Sequence, residues 1–301
     1  MDINPIIRRF RSWQKEPHSF TRESKGSHRC ANCGNEFEGD YCPVCGQKYD
    51  IGRMDWASIG EDLMTVGGLL DLRDTLSFIL QLFGRPGYLI GDYISGRRQV
   101  CGPPLGILFM ITAIVMAVFG LHGNAAFDEA PLAAGSFEFL GKAYLWMMSH
   151  IGWVMLIQTA LLVIPTWLLF RHSPHHTKHT FPEGVYIQII MCSLMLLIVI
   201  LRNLAGDWIL ILGPLYYCIA YRQLFGYGVW GTIWRTLLSI GSVFSFGAAA
   251  IMTIMYLSGD TTSLNTGMTP LLFAGAIVIV SICLLWAGYL IGKKKGVSSV
   301  K

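Results

Sequence analysis

Apolar residues in the last two thirds of the chain fall in long blocks, not at alternate or third-and-fourth positions. Six blocks stand out, at residues 105–123, 144–170, 185–202, 207–225, 236–257 and 271–292. Each reaches the roughly 18 to 20 residues that cross about 30 Å of hydrocarbon as a helix. The third and fourth meet at a short turn around Asn203, which predicts a tight hairpin. Pro165 and Pro214 lie inside blocks, where neighbouring helices can satisfy the freed carbonyl, so kinks are expected there. Upstream the pattern changes. Over residues 55–83, Trp56, Ile59, Leu63, Val66, Leu69, Leu70, Leu76, Ile79 and Leu80 are interspersed with Glu61, Asp62, Asp71, Arg73 and Asp74. This reads as one or two amphipathic helices, too charged to span, lying along the interface or packing under the bundle. Gly84-Arg85-Pro86-Gly87 ends them, since proline and glycine both break helices. Nearer the start, Ile3, Ile6, Ile7, Phe10 and Trp13 recur at helical spacing with Arg8, Arg9, Arg11 and Lys15 between them. That is the pattern of a helix lying on an anionic membrane surface; a disordered tail holding a few aromatics is the alternative.

The fold class that follows is an all-α polytopic membrane protein. Of the 301 residues 53% are hydrophobic and 14% charged, where soluble chains carry about a quarter. Lys and Arg then suggest an orientation. Thirteen precede the first span, two lie in the second connection, two in the fourth and four after the last span, against Lys142 and Arg202 alone in the others. The positive-inside rule puts both termini in the cytoplasm. No apolar core of a signal peptide is present in residues 1–55, and a net charge of +4 is too small to suggest a nucleic-acid partner.

The sharpest motif precedes all the spans. Cys30-x-x-Cys33 and Cys42-x-x-Cys45 are eight residues apart, each followed at once by glycine. Thiolates three positions apart on a tight turn grip one ion, and two such turns facing each other close a tetrahedral four-thiolate site, the geometry of structural zinc. All four positions are then filled by protein, so the ribbon presents a surface and not a reaction centre. Thiolate ligation belongs in a reducing compartment, which agrees with the orientation from charge. Phe37 and Tyr41 are expected to supply the small core. The other cysteines, Cys101, Cys192, Cys218 and Cys283, sit in or beside apolar segments, where cysteine behaves as a small hydrophobe. The organisation expected is a basic tail (1–29), zinc ribbon (30–50), amphipathic or interfacial helices (51–104), transmembrane domain (105–292) and basic tail (293–301).

Several of these residues also form a familiar arrangement: Cys30-x-Asn32-Cys33-Gly34 with Phe37 and Gly39, Tyr41-Cys42-Pro43-x-Cys45-Gly46-Gln47, Arg53, Asp71, Thr75, Arg85-Pro86-Gly87, Tyr93-Ile94-x-Gly96-Arg97-Arg98 and Pro104. Over residues 30–110 the chain resembles a family of bacterial membrane proteins, common in Bacteroidota and relatives, that joins a zinc ribbon to a helical domain of unknown function. It departs at Val100, where that family is often aromatic. The resemblance implies zinc binding and an inner-membrane location, and brings no activity with it.

Other constellations are weaker. His172, His175, His176 and His179 could bind a second metal through imidazole, but Arg171, Lys178 and Pro174 favour a solvated basic loop. Glu61-Asp62 and Asp71-x-x-Asp74 could chelate a divalent ion with a lipid phosphate; a solvated helix face is the simpler reading. Arg85, Arg97 and Arg98, beside Tyr88 and Tyr93, suit contact with anionic lipid headgroups, or simply serve as positive-inside charges. Ionisable residues within the spans are scarce, among them His150, Arg202 and Asp207 near their ends, which counts against a coupled transporter. No hydrolase, zinc-protease or phosphate-loop motif is present. The function expected is a non-enzymatic membrane protein whose zinc ribbon docks a protein partner that the helical domain anchors. The alternative is a permease for a small or lipidic substrate, with Pro165, Pro214, Gly241 and Gly247 marking mobile helices. A lipid-metabolising enzyme using Asp71 and Asp74 ranks last.

Overall fold

The computed structural model describes residues 4–16, 26–49, 51, 54–65, 72–100, 102–121, 151–175, 179–258 and 269–298. Helix α1 (Asn4–Lys15) is followed by an antiparallel ladder of β1 (His28–Arg29) and β2 (Glu36–Phe37). Three short helices come next, α2 (Trp56–Thr65), α3 (Leu72–Gly84) and α4 (Pro86–Ile94). The bundle is α5 (Pro104–Leu121), α6 (Ile151–Phe170), α7 (Phe181–Ala205), α8 (Leu212–Phe225), α9 (Val229–Ser258) and α10 (Thr269–Ser298).

Four of these helices are long and apolar enough to cross a membrane, over Trp153–Phe170, Phe181–Arg202, Val229–Ala250 and Ala274–Lys293. The two remaining expected spans are shorter over the described residues. In α5 the apolar run is Pro104–Val118. The block at 207–225 is split into a 3-10 turn, Asp207–Ile211, and the 14-residue α8. The split begins at Gly206, which ends α7 with φ +90°, a conformation that favours glycine. Pro214 therefore sits in the first turn of α8, where a missing N–H costs nothing, and not in mid-span. Pro165 lies within α6.

Two helices start earlier than their apolar blocks. Thr180 accepts a hydrogen bond from the Glu183 amide, and Glu183 accepts one from the Thr180 amide, a reciprocal cap that starts α7 at Phe181. It also explains why a fully buried glutamate is tolerated there. Helix α9 begins at Val229, so Arg235, expected in a connection, lies inside it and is buried. Its Nη1 donates to the Gly231 carbonyl at 2.8 Å, and its guanidinium lies 4.0 Å from the Tyr227 ring and 4.4 Å from that of Trp234. Cation–π contact offsets part of the lost hydration.

From α6 to α10 successive helices run in opposite directions. Gln188, near the start of α7, donates to Thr166 near the end of α6 (3.1 Å) and to Tyr221 near the end of α8 (2.9 Å). Gly213 at the start of α8 faces Met195 in the second half of α7. Gly288 in α10 packs against Leu169 and Trp234. The end of the bundle where α6, α8 and α10 finish and α7 and α9 begin thus gathers Arg171, Arg222, Arg235 and Lys293.

Helices α2 to α4 meet this same end. Trp56 packs on Phe181 (6.1 Å between ring centroids) and Tyr93 stacks on Tyr186 (5.4 Å). Phe78, Leu82, Leu89 and Ile90 are buried in the same apolar core as the bundle. Of the two placements open from the sequence for residues 55–83, α3 therefore takes the one packed against the bundle. Tyr93, suited by sequence to a headgroup layer, is interior. Helix α4 comes so close to α8 that only glycine fits at position 87: a Cβ there would lie 2.2 Å from the Ala220 carbonyl oxygen.

Candidate metal centre

The two Cys-x-x-Cys turns have the same local structure. In the first, the Cys30 amide donates to the Asn35 carbonyl (2.8 Å) and the Gly34 amide to the Cys30 carbonyl (2.9 Å). In the second, the Cys42 amide donates to the Gln47 carbonyl (2.9 Å) and the Gly46 amide to the Cys42 carbonyl (2.8 Å). Gly34 and Gly46 close the turns at φ +74° and +73°, so the glycine after each pair is a conformational requirement.

The turns face each other. All four Sγ atoms lie within 4.8 Å of one another, with Cys30 and Cys45 at 3.5 Å and Cys33 and Cys42 at 3.6 Å. A tetrahedron of thiolates about 2.3 Å from a zinc ion has edges of roughly 3.8 Å, so the cluster fits a metal at its centre. Four soft sulfur donors suit zinc, and iron by the same chemistry. Such an ion would cross-link the two turns, since all four ligand positions come from the protein.

Burial and hydrogen bonding act in different balance on Cys33 and Cys42. At Cys33 burial, with hydrogen bonds to the other three thiols, pushes the pKa up to about 12. At Cys42 burial also works upward, but amides of Cys45 and Val44 and the neighbouring thiols outweigh it and bring the value down to about 7. Beneath the cluster lies Phe37, the one non-cysteine member of its buried core. Tyr41, expected beside it, is instead 63% exposed. The second aromatic support comes from residues not singled out in the sequence: His28 stacks on Tyr49 at 3.7 Å and meets the Phe37 edge at 6.3 Å.

One side chain fastens the ribbon to the rest of the molecule. Gln47, 1% exposed, donates through Nε2 to the Gly96 carbonyl (2.6 Å) and accepts at Oε1 from the Arg98 amide (3.1 Å). Both ends of its amide are thus used on the loop after α4, which turns at Gly96 with φ +94°. The metal-binding turn and this loop share a residue boundary, because the Gln47 backbone carbonyl closes the second turn.

The three arginines expected at lipid headgroups take three different places. Arg85 is 0% exposed, and its guanidinium pairs with Asp92; enclosed by protein, it does not reach a headgroup. Arg98 donates to Met54 Sδ (3.1 Å) and Ser58 Oγ (3.2 Å), tying α2 to the loop after α4. Arg97 stays 44% exposed, 3.6 Å from Asp92.

Among the described residues the four cysteines are the only group able to share an ion. The histidine loop is not gathered: His172 lies against Tyr289 (5.4 Å), His175 lies against Gly226, and His179 is buried against Phe225 (5.4 Å). His176 and Asp71 lie outside the described residues.

No family model, curated protein or solved structure matches the chain. The functional reading therefore rests on this geometry.

Proposed function

We propose that this chain is a non-enzymatic membrane protein whose ribbon, holding zinc, docks a protein partner that the helical bundle anchors. The observation that carries this reading is a closed four-thiolate cluster whose second turn exposes Tyr41, Pro43 and Val44 while Gln47 fixes it to the bundle. A site with no open ligand position is suited to presenting a surface. Exposed aromatic and aliphatic residues on a rigid turn are what protein interfaces use as anchors. The bundle would cross the membrane six times, with α5 and the turn-plus-α8 segment as its two short crossings. The basic ribbon-bearing end would face the cytoplasm, by the charge rule and by the reducing conditions thiolates need. A bacterial inner-membrane location, and kinship with the family resembled over residues 30–110, belong to the same proposal.

The test is in-cell crosslinking and capture, comparing wild type with Cys42→Ser/Cys45→Ser at matched membrane abundance. A protein captured by the wild type and lost from the variant supports docking through the ribbon. Equal captures refute it.

A permease is the second reading, favoured by the polar contacts of Thr166, Gln188 and Tyr221 deep in the bundle. Substrate accumulation by proteoliposomes, abolished in Gln188→Leu, would support it.

A further inference from the structure

We infer that α1 is the element of this protein that binds anionic lipid, lying on the membrane surface with its apolar face in the headgroup boundary. The inference rests on the membrane embedding of the bundle and is independent of docking through the ribbon.

Ile6, Ile7, Phe10 and Trp13 fall on one face of α1, and Arg9 and Arg11 flank that face on either side, with Arg8 and Lys15 behind. No acidic residue occurs between Asn4 and Lys15. The C-terminal end of the apolar face is held by protein: Gln14 Nε2 donates to the Gly84 carbonyl at 2.7 Å, and the Trp13 ring sits so close that a Cβ at Gly84 would lie 2.8 Å from it. Among the described residues the rest of the face has no such cover. Ile6 is 59% exposed and Phe10 48%, and the α1 arginines are exposed as well.

The anchor point gives this exposed face its neighbour. Gly84 ends α3, whose Leu76 and Leu80 are themselves exposed, Leu80 one turn before the contact. Helix α3 packs into the bundle core through Phe78 and Leu82, so its outward leucines belong to the apolar surface that surrounds the bundle. Helix α1 continues that surface outward, and adds cations at its edge. Apolar face plus flanking arginines is complementary to one surrounding, an anionic lipid boundary. Of the arginines first suited to that role, Arg85 is enclosed and Arg98 is engaged by α2, while Arg97 is exposed beside Asp92.

The test is hydrogen exchange on the full chain in nanodiscs of phosphatidylcholine alone and of phosphatidylcholine mixed with phosphatidylglycerol. Amides of residues 6–13 should exchange more slowly in the anionic discs. Removing three cations, in Arg8→Gln/Arg9→Gln/Arg11→Gln, should cost roughly a hundredfold in the bound population, from about 1 kcal/mol per charge, and return exchange to the level in neutral discs. Ile6→Ser/Phe10→Ser should lose protection in both lipids. Equal exchange in the two lipids, or protection indifferent to the arginines, overturns the inference. Failure of the chain to enter nanodiscs at all would overturn the membrane reading itself.

Discussion

Gln47 is the side chain through which the ribbon and the membrane domain should be coupled. Gln47→Ala removes an amide that is fully used, leaving the Gly96 carbonyl and the Arg98 amide without that partner in a site where Gln47 itself is 1% exposed. Each hydrogen bond contributes about 1 kcal/mol net, and a buried group left unsatisfied costs about 1–3 kcal/mol. Because the loop around Gly96 can take up water once the ribbon moves, the lower part of the range applies, about 2 to 3 kcal/mol for the pair. That corresponds to a shift of roughly 30- to 150-fold in the balance of docked and undocked ribbon. The metal site should survive, because the Cys42 amide is held by the backbone carbonyl of Gln47 and not by its side chain. Hydrogen exchange read at Arg98 and across residues 26–49, alongside metal content, separates the two effects. Arg98 should exchange faster in Gln47→Ala with the bound metal unchanged. Gln47→Glu should fall between, since a carboxylate still accepts from the Arg98 amide but cannot donate to Gly96. Unchanged exchange at Arg98 in Gln47→Ala would refute the coupling.

Three further outcomes follow from the geometry. Gly87→Ala drives a Cβ to 2.2 Å from the Ala220 oxygen and 2.7 Å from the Leu224 nitrogen, and should cost about 3 kcal/mol by overpacking, read as a lower Tm in detergent. Gly241→Ala, with nothing within 4 Å of its Cβ position, should instead raise stability by about 0.5–1 kcal/mol, and equal effects at the two positions would refute the close approach of α4 and α8. Arg85→Met should destabilise by about 3 kcal/mol, the low end for a broken buried pair, because Arg97 still faces Asp92. The double variant Arg85→Met/Asp92→Leu should recover most of that loss in the same melting assay. Stripping the metal with a strong chelator should open the ribbon, whose buried cluster has Phe37 as its one member beyond cysteine, and make residues 26–49 protease-sensitive with bundle circular dichroism unchanged.

The ribbon was legible in the sequence because its information is local: two turns of fixed spacing, each closed by its own glycine, bring four sulfurs together whatever the rest of the chain does. The four long helices were legible for a related reason, since an unbroken apolar block needs no partner to be recognised. The start of α7 carried a readable signal in Thr180-Phe181-Pro182-Glu183, a capping box that block hydropathy ignores because it weighs Glu183 as a charge and not as a cap. What could not be read was anything set by distant pairing. Arg85, Arg97 and Arg98 look alike along the chain, yet one is enclosed with Asp92, one stays at the surface and one reaches Ser58, forty residues earlier. Tyr41, expected in the small core, is likewise exposed, and the aromatic support comes from His28, which β1 brings beside Tyr49. The same distinction bears on lipid contact. A guanidinium reaches a headgroup only if no carboxylate or carbonyl of the protein claims it first, and helix α1 has no acidic residue to make that claim. Within α1 no carboxylate stands beside its cations, whereas Arg85 is held by Asp92 of α4 and Arg98 by Ser58 of α2.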